Sequence, residues 1–340
     1  MKVLVGISGG VDSAYTAKLY LDRGCEVVGC ILKMHEFSDL GGAERVASEL
    51  GIRLVCIDAT APFDENIKAY FREEYLKGRT PNPCIVCNER IKFRLLYEYA
   101  RENGFEKIAT GHYAKIAHDE QGNSFIECAK DPSKDQSYML YRLPSEILAM
   151  LELPLGEITK DKVRANTMDA GLSVAKAKDS QEICFLPDGG YPEYIESVVG
   201  KLPEGDFIND AGERIGQHKG IIRYTVGQRK GLGISLGKRM FVTAIDPVAN
   251  TVKLSEELRG KNEVHLSEVI LASGIDPEKV RGKKFKAKVR YTAPLVDVSV
   301  ELHEGNRASL HSELELKAAP GQSAVVYDEG RVILGGFIDS

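Results

Sequence analysis

Val3-Leu4-Val5-Gly6-Ile7-Ser8-Gly9-Gly10-Val11-Asp12-Ser13 is an apolar run that breaks into a Ser/Gly loop and then opens a helical stretch. A buried strand that turns through glycines into a helix N-terminus is a phosphate cradle. The glycines let the backbone approach an anion, and the first helical N–H groups point at it. Ser8 and Ser13 add hydroxyl donors. Asp12 repels a bare phosphate, so its presence implies magnesium arriving with a nucleotide.

Outward from this loop, strands and helices alternate. Glu26–Lys33 and Arg53–Asp58 read as strands, 41–50 as a helix stopped by Gly51, 62–76 and 87–103 as helices, and 107–110 as a further strand. This alternation predicts a doubly wound parallel α/β sheet. Such sheets bind ligands at the carboxyl ends of their strands, where Ser8–Ser13 lies. Residues 113–118 and 124–129, joined around Gly122-Asn123, read as a hairpin. Residues 136–200 read as short helices broken by Pro144, Pro154, Gly171 and Pro187. From about residue 206 the chain is rich in glycine and β pattern. Short strands at 283–289, 297–302, 309–316, 323–327 and 332–337 predict a small C-terminal barrel or sandwich. The expected division is 1–200, a small β-rich central domain at 205–264, and a C-terminal β-barrel at 265–340.

At 340 residues, two or three domains are expected. No apolar stretch approaches the ~20 residues of a membrane span. The N-terminus runs straight into the first strand, so a cytoplasmic protein without membrane association is expected. The net charge of −5 argues mildly against a nucleic-acid partner, but two segments are basic. Arg214–Arg239 and Lys279–Arg290 each hold seven Lys/Arg and no acid. Such segments support a phosphate-binding face.

Seven cysteines are present. Cys25, Cys30, Cys56 and Cys128 stand in apolar strand-like contexts and are expected as small core residues. Thr80-Pro81-Asn82-Pro83-Cys84-Ile85-Val86-Cys87-Asn88 is different: two prolines fix an extended loop, and Cys87 falls at the start of the expected helix. A helix N-terminus favours a thiolate. The Cys84-x-x-Cys87 pair is open to structural zinc, a redox dithiol or iron–sulfur ligation. No second pair follows locally to close a zinc site. Ser180-Gln181-Glu182-Ile183-Cys184-Phe185 supplies a third thiol, with Lys176 and Lys178 pointing to an accessible, electropositive setting. Gly111 and His112 follow a strand end beside the first loop, where an adenine or ribose would lie.

The loop lacks the Gly-Lys-Ser/Thr ending of a Walker A motif and resembles the PP-loop of ATP pyrophosphatases. End to end, the chain resembles the tRNA-uridine 2-sulfurtransferases, or tRNA-specific 2-thiouridylases. The markers are Gly6–Ser13, Gly78–Pro83, Cys87-Asn88 with Ile91-Lys92-Phe93, Thr110–Ala114, Lys134–Tyr138, Asp179–Phe185, Arg223–Gly233 and Pro320–Gln322. The resemblance implies that Gly6, Ile7, Ser8, Gly9, Gly10, Val11, Asp12, Ser13, Leu32 and Gly111 bind ATP, with Leu32 replacing the family's usual methionine. Asn82, Pro83 and Cys84 would surround the target base, and His112, Lys134, Asp135, Gln136, Arg290, Tyr291 and Gln322 would contact tRNA in its anticodon region. Cys87 would be the nucleophile and Cys184 the persulfide carrier.

The implied reaction is replacement of the C2 oxygen of the wobble uridine, at position 34, by sulfur. ATP adenylates that oxygen, releasing pyrophosphate. Sulfur from a donor protein or sulfide then displaces AMP. The target base must leave the anticodon stack, while the β-rich part holds the backbone. One departure matters: the best-known members carry aspartate at position 84. Cys84 has neither the charge nor the pKa of that carboxylate, which puts an acid/base role at 84 in doubt, and it completes the set Cys84, Cys87 and Cys184. Three thiolates can hold a [4Fe-4S] cluster with one iron open to sulfide, so persulfide and cluster routes both stand. The link from Met34 to Gly41 is also shorter than in many members. Two other classes compete: a PP-loop enzyme adenylating a small molecule or another tRNA position, and a non-catalytic iron–sulfur or RNA-binding scaffold.

Overall fold

The computed structural model describes residues 1–177, 183–187, 190–234 and 237–339. Its first part is a parallel sheet of β1 (Lys2–Gly6), β2 (Glu26–Lys33), β3 (Arg53–Asp58), β4 (Lys107–Ala109) and the two-residue strand Leu151–Glu152. The order is β3-β2-β1-β4 followed by Leu151–Glu152. β1 pairs on either side with β2 and β4, Val5 opposite both Gly29 and Ala109. The chain therefore winds outward in both directions from β1, and the crevice between the ends of β1 and β4 is the ligand position of an open α/β sheet. Val3, Leu4, Val5, Ala14, Ala17 and Tyr20 are buried on this axis. α1 (Val11–Asp22) and α2 (Leu40–Leu50) return the chain between strands, α2 ending at Gly51 in the left-handed region, φ 65°.

The helix expected from residue 87 begins at Pro83. Asn82 caps it by accepting from the Cys84 N–H, and Pro83 takes the first helical position. A π turn, Asn88–Lys92, then carries it into Phe93–Glu102. A second π turn, Asp64–Lys68, interrupts the helical run 60–76.

The expected hairpin forms from Lys115–His118 and Ser124–Glu127. It continues the barrel sheet through Arg331 opposite Glu127, so a hairpin of the first part is joined to the C-terminal one. The central part is a four-stranded sheet of Phe241–Asp246, Thr251–Ser255, Gly205–Ile208 and Arg214–His218. The last part is a closed six-stranded barrel, of the two alternatives expected. The strand that closes it, Lys261–Leu271, pairs with both Arg307–Leu316 and Arg331–Ile338. The expected boundary between 264 and 265 therefore cuts a barrel strand. No helix among the described residues is long and apolar enough to cross a membrane.

Of the four cysteines expected in the core, only Cys30 is buried; Cys25 and Cys128 are half-buried, and Cys56 is exposed. Cys56 lies on β3, the edge of the parallel sheet, where one flank has no neighbour strand.

Candidate active site

The loop Ser8–Gly10 turns directly from β1 into α1. Gly9 has φ +77°, and a Cβ there would stand 2.9 Å from Asp39 Oδ2 and 3.0 Å from the Gly42 carbonyl carbon. Only glycine fits both the conformation and the space. The loop is tied by its serines: Ser13 Oγ receives the Ser8 N–H at 3.1 Å, lies 3.2 Å from Ser8 Oγ and donates to the Gly10 carbonyl at 3.1 Å. Gly10 caps α1 with no side-chain hydrogen bond, so no side chain competes for the first helical N–H groups. The cradle suits a phosphate. Gly6 and Ile7 lead into it, and Val11 and Leu32 are buried.

Asp12 opens α1, and its carboxylate is engaged. Lys160 Nζ lies 2.8 and 2.7 Å from its two oxygens, and Tyr113 Oη donates to Oδ1 at 2.8 Å. Lys160 is buried at the start of the helix Lys160–Asp169. Asp12 is thus charge-balanced by a lysine, which does not fit it as a magnesium ligand, and no step is derived through that ion. Sequence reasoning missed Lys160, since nothing local marks a lysine 148 positions from its partner. Gly111 explains how β4 meets this corner: a Cβ there would lie 2.7–2.9 Å from Asp12 main-chain and Cβ atoms.

The three thiols form the other side of the site. Cys84 and Cys184 are exposed and Cys87 is buried. The helix starts four residues before Cys87, so Cys87 has no helix N-terminus to favour its thiolate. Burial instead pushes its pKa up to about 12, partly offset by the positive charge of Lys92. Cys87 Sγ rests 3.9 Å from Met34 Sδ. Cys84 keeps solvent contact at the surface, yet enough protein flanks its sulfur to raise its pKa by desolvation. Cys184 is also raised, first by desolvation and then by Cys84, with Lys92 opposing. The three lie within electrostatic reach of one another. Cys184 is exposed, and the cations that act on it are Lys92 and Lys68 rather than the expected Lys176; Lys178 and residues 179–182 of its motif lie outside the described residues.

Phe185 anchors this segment. Its buried ring packs edge-on against Phe63, Phe71 and Tyr194 at 5.6, 5.3 and 5.5 Å. As placed, no group of three His, Cys, Asp or Glu side chains among the described residues is arranged to hold a metal ion. The donor chemistry of three thiols suits an iron–sulfur cluster but their placement does not, and no step is derived through one.

One loop connects the two sides. After β2, Met34 touches Cys87. Five residues on, Asp39 caps α2 by accepting from the Gly42 N–H at 2.8 Å and stands against Gly9.

The residues expected to contact tRNA divide into two groups. Asp135 is buried, and its carboxylate accepts from the Ala129 and Ser137 N–H groups and the Ser137 hydroxyl at 2.9, 3.3 and 2.8 Å. Lys288 of the barrel stands 4.0 Å away. Asp135 fixes its loop and does not face a ligand, which corrects the expectation. Gln136 is half-committed in the same way, its Oε1 accepting from the Tyr113 N–H at 2.8 Å. Gln322 donates to the Thr80 carbonyl at 2.8 Å, while the Thr80 N–H donates to Pro320 O at 2.8 Å. The barrel turn at Pro320–Gln322 thus clasps the extended segment leading to Asn82 and Pro83. Gly321, φ +88°, permits this: a Cβ would meet the Thr80 nitrogen at 2.9 Å. Arg290 donates to Val226 O at 3.2 Å, bracing barrel against central sheet.

The remaining three are Lys134, Tyr291 and His112. Lys134 and Tyr291 are half-buried, the Tyr291 ring standing 6.0 Å from that of Tyr138. His112 bonds through Nδ1 to Thr110 Oγ1 at 2.9 Å, with its ring 5.3 Å from Phe93. Burial and Lys92 together hold its pKa well below the ordinary histidine range, so it is neutral.

The two basic segments also differ. Lys283, Lys284 and Lys286 face Asp328, Glu313 and Asp297, which neutralise much of the second. In the first, Arg214, Arg223 and Lys238 are likewise paired with acids, while Arg229 and Arg239, without ion pairs among the described residues, line a recess with Leu232.

Three family models match the chain in succession: the tRNA methyl transferase HUP domain over residues 1–188, the tRNA methyl transferase PRC-barrel domain over 192–256, and the aminomethyltransferase beta-barrel domain over 273–338. Among curated relatives, the tRNA-specific 2-thiouridylase MnmA of Treponema denticola is 42% identical over 364 residues, covering 100% of this chain and 98% of that protein. The protein of the same name from Acetivibrio thermocellus is 39% identical over 358 residues, covering 99% of each. Among solved structures, NMN synthetase from Francisella tularensis aligns with a TM-score of 0.36 at 19% identity, over 59% of this chain and 78% of that one.

Proposed function

The chain belongs to the tRNA-specific 2-thiouridylase family and is a tRNA sulfurtransferase; from that premise we propose that it uses ATP to replace the C2 oxygen of the wobble uridine with sulfur. The observation that carries this reading is the loop after β2. It touches Cys87 through Met34 and backs Gly9 through Asp39, so a single loop lies against both the phosphate cradle and the buried thiol. In this reading the two are walls of one cleft, and a base adenylated at the first meets sulfur at the second without leaving the protein.

In this reading Ser8–Ser13 and the N-terminus of α1 hold the phosphates of ATP. Lys160, anchored by Asp12 and Tyr113, supplies the positive charge near the bond that breaks. Asn82 and Pro83, braced by Gln322, line the pocket for the extruded base. Neutral His112 offers a hydrogen bond rather than a charge. Arg229, Lys230 and Arg239 take tRNA phosphates, and Lys134, Arg290 and Tyr291 line the RNA path at the barrel joint. Sulfur reaches C2 over the thiols of Cys84, Cys87 and Cys184, delivered as sulfide or as a persulfide from a donor protein.

The test is mass spectrometry of nucleosides after incubating unmodified tRNA with protein, ATP and sulfide under anaerobic conditions. The reading expects 2-thiouridine at position 34 and none in a transcript with cytidine there. Thiolation at another position, or turnover of ATP with a small acid and no RNA, would replace it with a different PP-loop activity.

A further inference from the structure

One cation stands among the three thiols without a carboxylate partner. Lys92 closes the π turn Asn88–Lys92. In that turn the Phe93 N–H bonds back to the Asn88 carbonyl, five residues earlier, one residue more than an α-helix allows. Such turns re-aim side chains and recur at functional sites. Here the extra residue brings Lys92 back over Cys87, five positions before it. Cys84 and Asn88 lie on the same face at the ordinary spacing of four. The positive charge of Lys92 acts on Cys84, Cys87, Cys184 and His112 alike. Its side chain makes no ion pair or hydrogen bond among the described residues, in contrast to Lys160 across the cleft, which is bonded to Asp12. Phe93, the next residue, packs on His112 and holds the end of the turn against the β4 loop.

We propose that Lys92 is a catalytic residue, the ammonium that holds the attacking sulfur anion against C2 of the activated uridine. This rests on the function proposed above. In the step concerned, hydrosulfide attacks C2, the S–C2 bond forms, and the C2–O bond breaks. AMP leaves with the electron pair, and the S–H proton passes through water to N3, which lost its proton on adenylation, leaving a thiocarbonyl. Sulfur carries its negative charge until the new bond forms, whether it comes from sulfide or sits on a cysteine, so a fixed cation serves either route. Lys92 takes no proton in this step, and the phosphate loop holds a lysine of its own, Lys160 on Asp12, so adenylation does not call on Lys92.

The experiment separates the two half-reactions in Lys92→Met and Lys92→Arg, using unmodified tRNA, ATP and sodium sulfide anaerobically in single turnover. Pyrophosphate reports adenylation and 2-thiouridine reports sulfur entry. Lys92→Met is expected to release pyrophosphate within about twofold of wild type and to form 2-thiouridine on the order of 100-fold more slowly, with Lys92→Arg restoring at least a tenth of the rate. Thiolation by Lys92→Met at the wild-type rate overturns the proposal. So does equal loss of both half-reactions in Lys92→Met and Lys92→Arg, which marks a structural role. Wild-type protein that makes no 2-thiouridine sinks the proposed function, and this inference falls with it.

Discussion

Lys160 Nζ bonds both oxygens of Asp12, at 2.7 and 2.8 Å, so the phosphate loop is closed by a side chain from 148 residues further along. The pair places a buried cation at the mouth of α1, whose own N-terminus is positive. A nucleotide entering the cradle meets both.

Lys160→Met leaves Asp12 charged and without its lysine. Breaking a buried pair costs about 3–5 kcal/mol, and the 31% exposure of the Asp12 side chain places this one at the lower end. Urea denaturation measures that loss. Pyrophosphate release in the presence of tRNA is expected to fall on the order of 100-fold, the effect of removing one electrostatic donor from a reaction centre. An unchanged rate assigns Lys160 to structure alone.

Gly111→Ala tests the corner from the other side. Its methyl group would press on Asp12 backbone atoms at 2.7–2.9 Å, where nothing flexible can yield. Overpacking of this kind costs about 1–3 kcal/mol. ATP affinity, followed by equilibrium dialysis, is expected to fall well beyond what the denaturation midpoint accounts for. Equal ATP affinity in variant and wild type would mean that α1 and β4 can separate without disturbing the cradle.

Gln322→Ala removes the bond to the Thr80 carbonyl and keeps the rest of the barrel. The stability cost is small, about 0.5–1.5 kcal/mol for a single hydrogen bond. The Asn82–Cys84 turn then loses its brace, and kcat for thiolation is expected to fall on the order of tenfold through misplacement of the base. A rise in KM for tRNA with kcat unchanged would instead mark Gln322 as an RNA contact.

Acid sensitivity follows from the histidines. Burial lowers the pKa of His112, His35 and His218 below the ordinary value near 6.5. Between those lowered values and about 6.5 the unfolded chain binds protons that the folded chain refuses, so stability falls as pH drops below about 6.5. Denaturation midpoints from pH 7.5 down to 5 are expected to decline, and His112→Gln to decline less steeply. A variant with the wild-type slope would show that His112 gains its proton without unfolding.

The parts written locally were legible. Ser8–Ser13, the alternation through β4, the Gly122-Asn123 hairpin and five barrel strands all follow from short-range pattern and turn chemistry. The rest depends on distance. Leu151–Glu152 is too short to announce a strand. Lys261–Leu271 has a register irregularity between Ser267 and Ile270, and Glu268 has φ 46°, which breaks the alternation that would have marked the closing strand. Cys87 reads as a helix start only if the capping role of Asn82 is overlooked. Asp135 is expected at the RNA only because the resemblance carries Lys134-Asp135-Gln136 over as a group, and nothing local shows which of the three turns inward. Its burial is decided by Ser137 and by Lys288, more than 150 positions away.

The most direct test of the account is the stoichiometry of a single turnover with α-labelled ATP, wobble-unmodified tRNA and sulfide. One AMP and one pyrophosphate are expected for each 2-thiouridine formed, with no nucleotide cleavage when tRNA is left out. ADP and inorganic phosphate as products, or pyrophosphate release that ignores tRNA, would contradict a cleft in which the phosphate cradle of Ser8–Ser13 activates an RNA base for attack by sulfur.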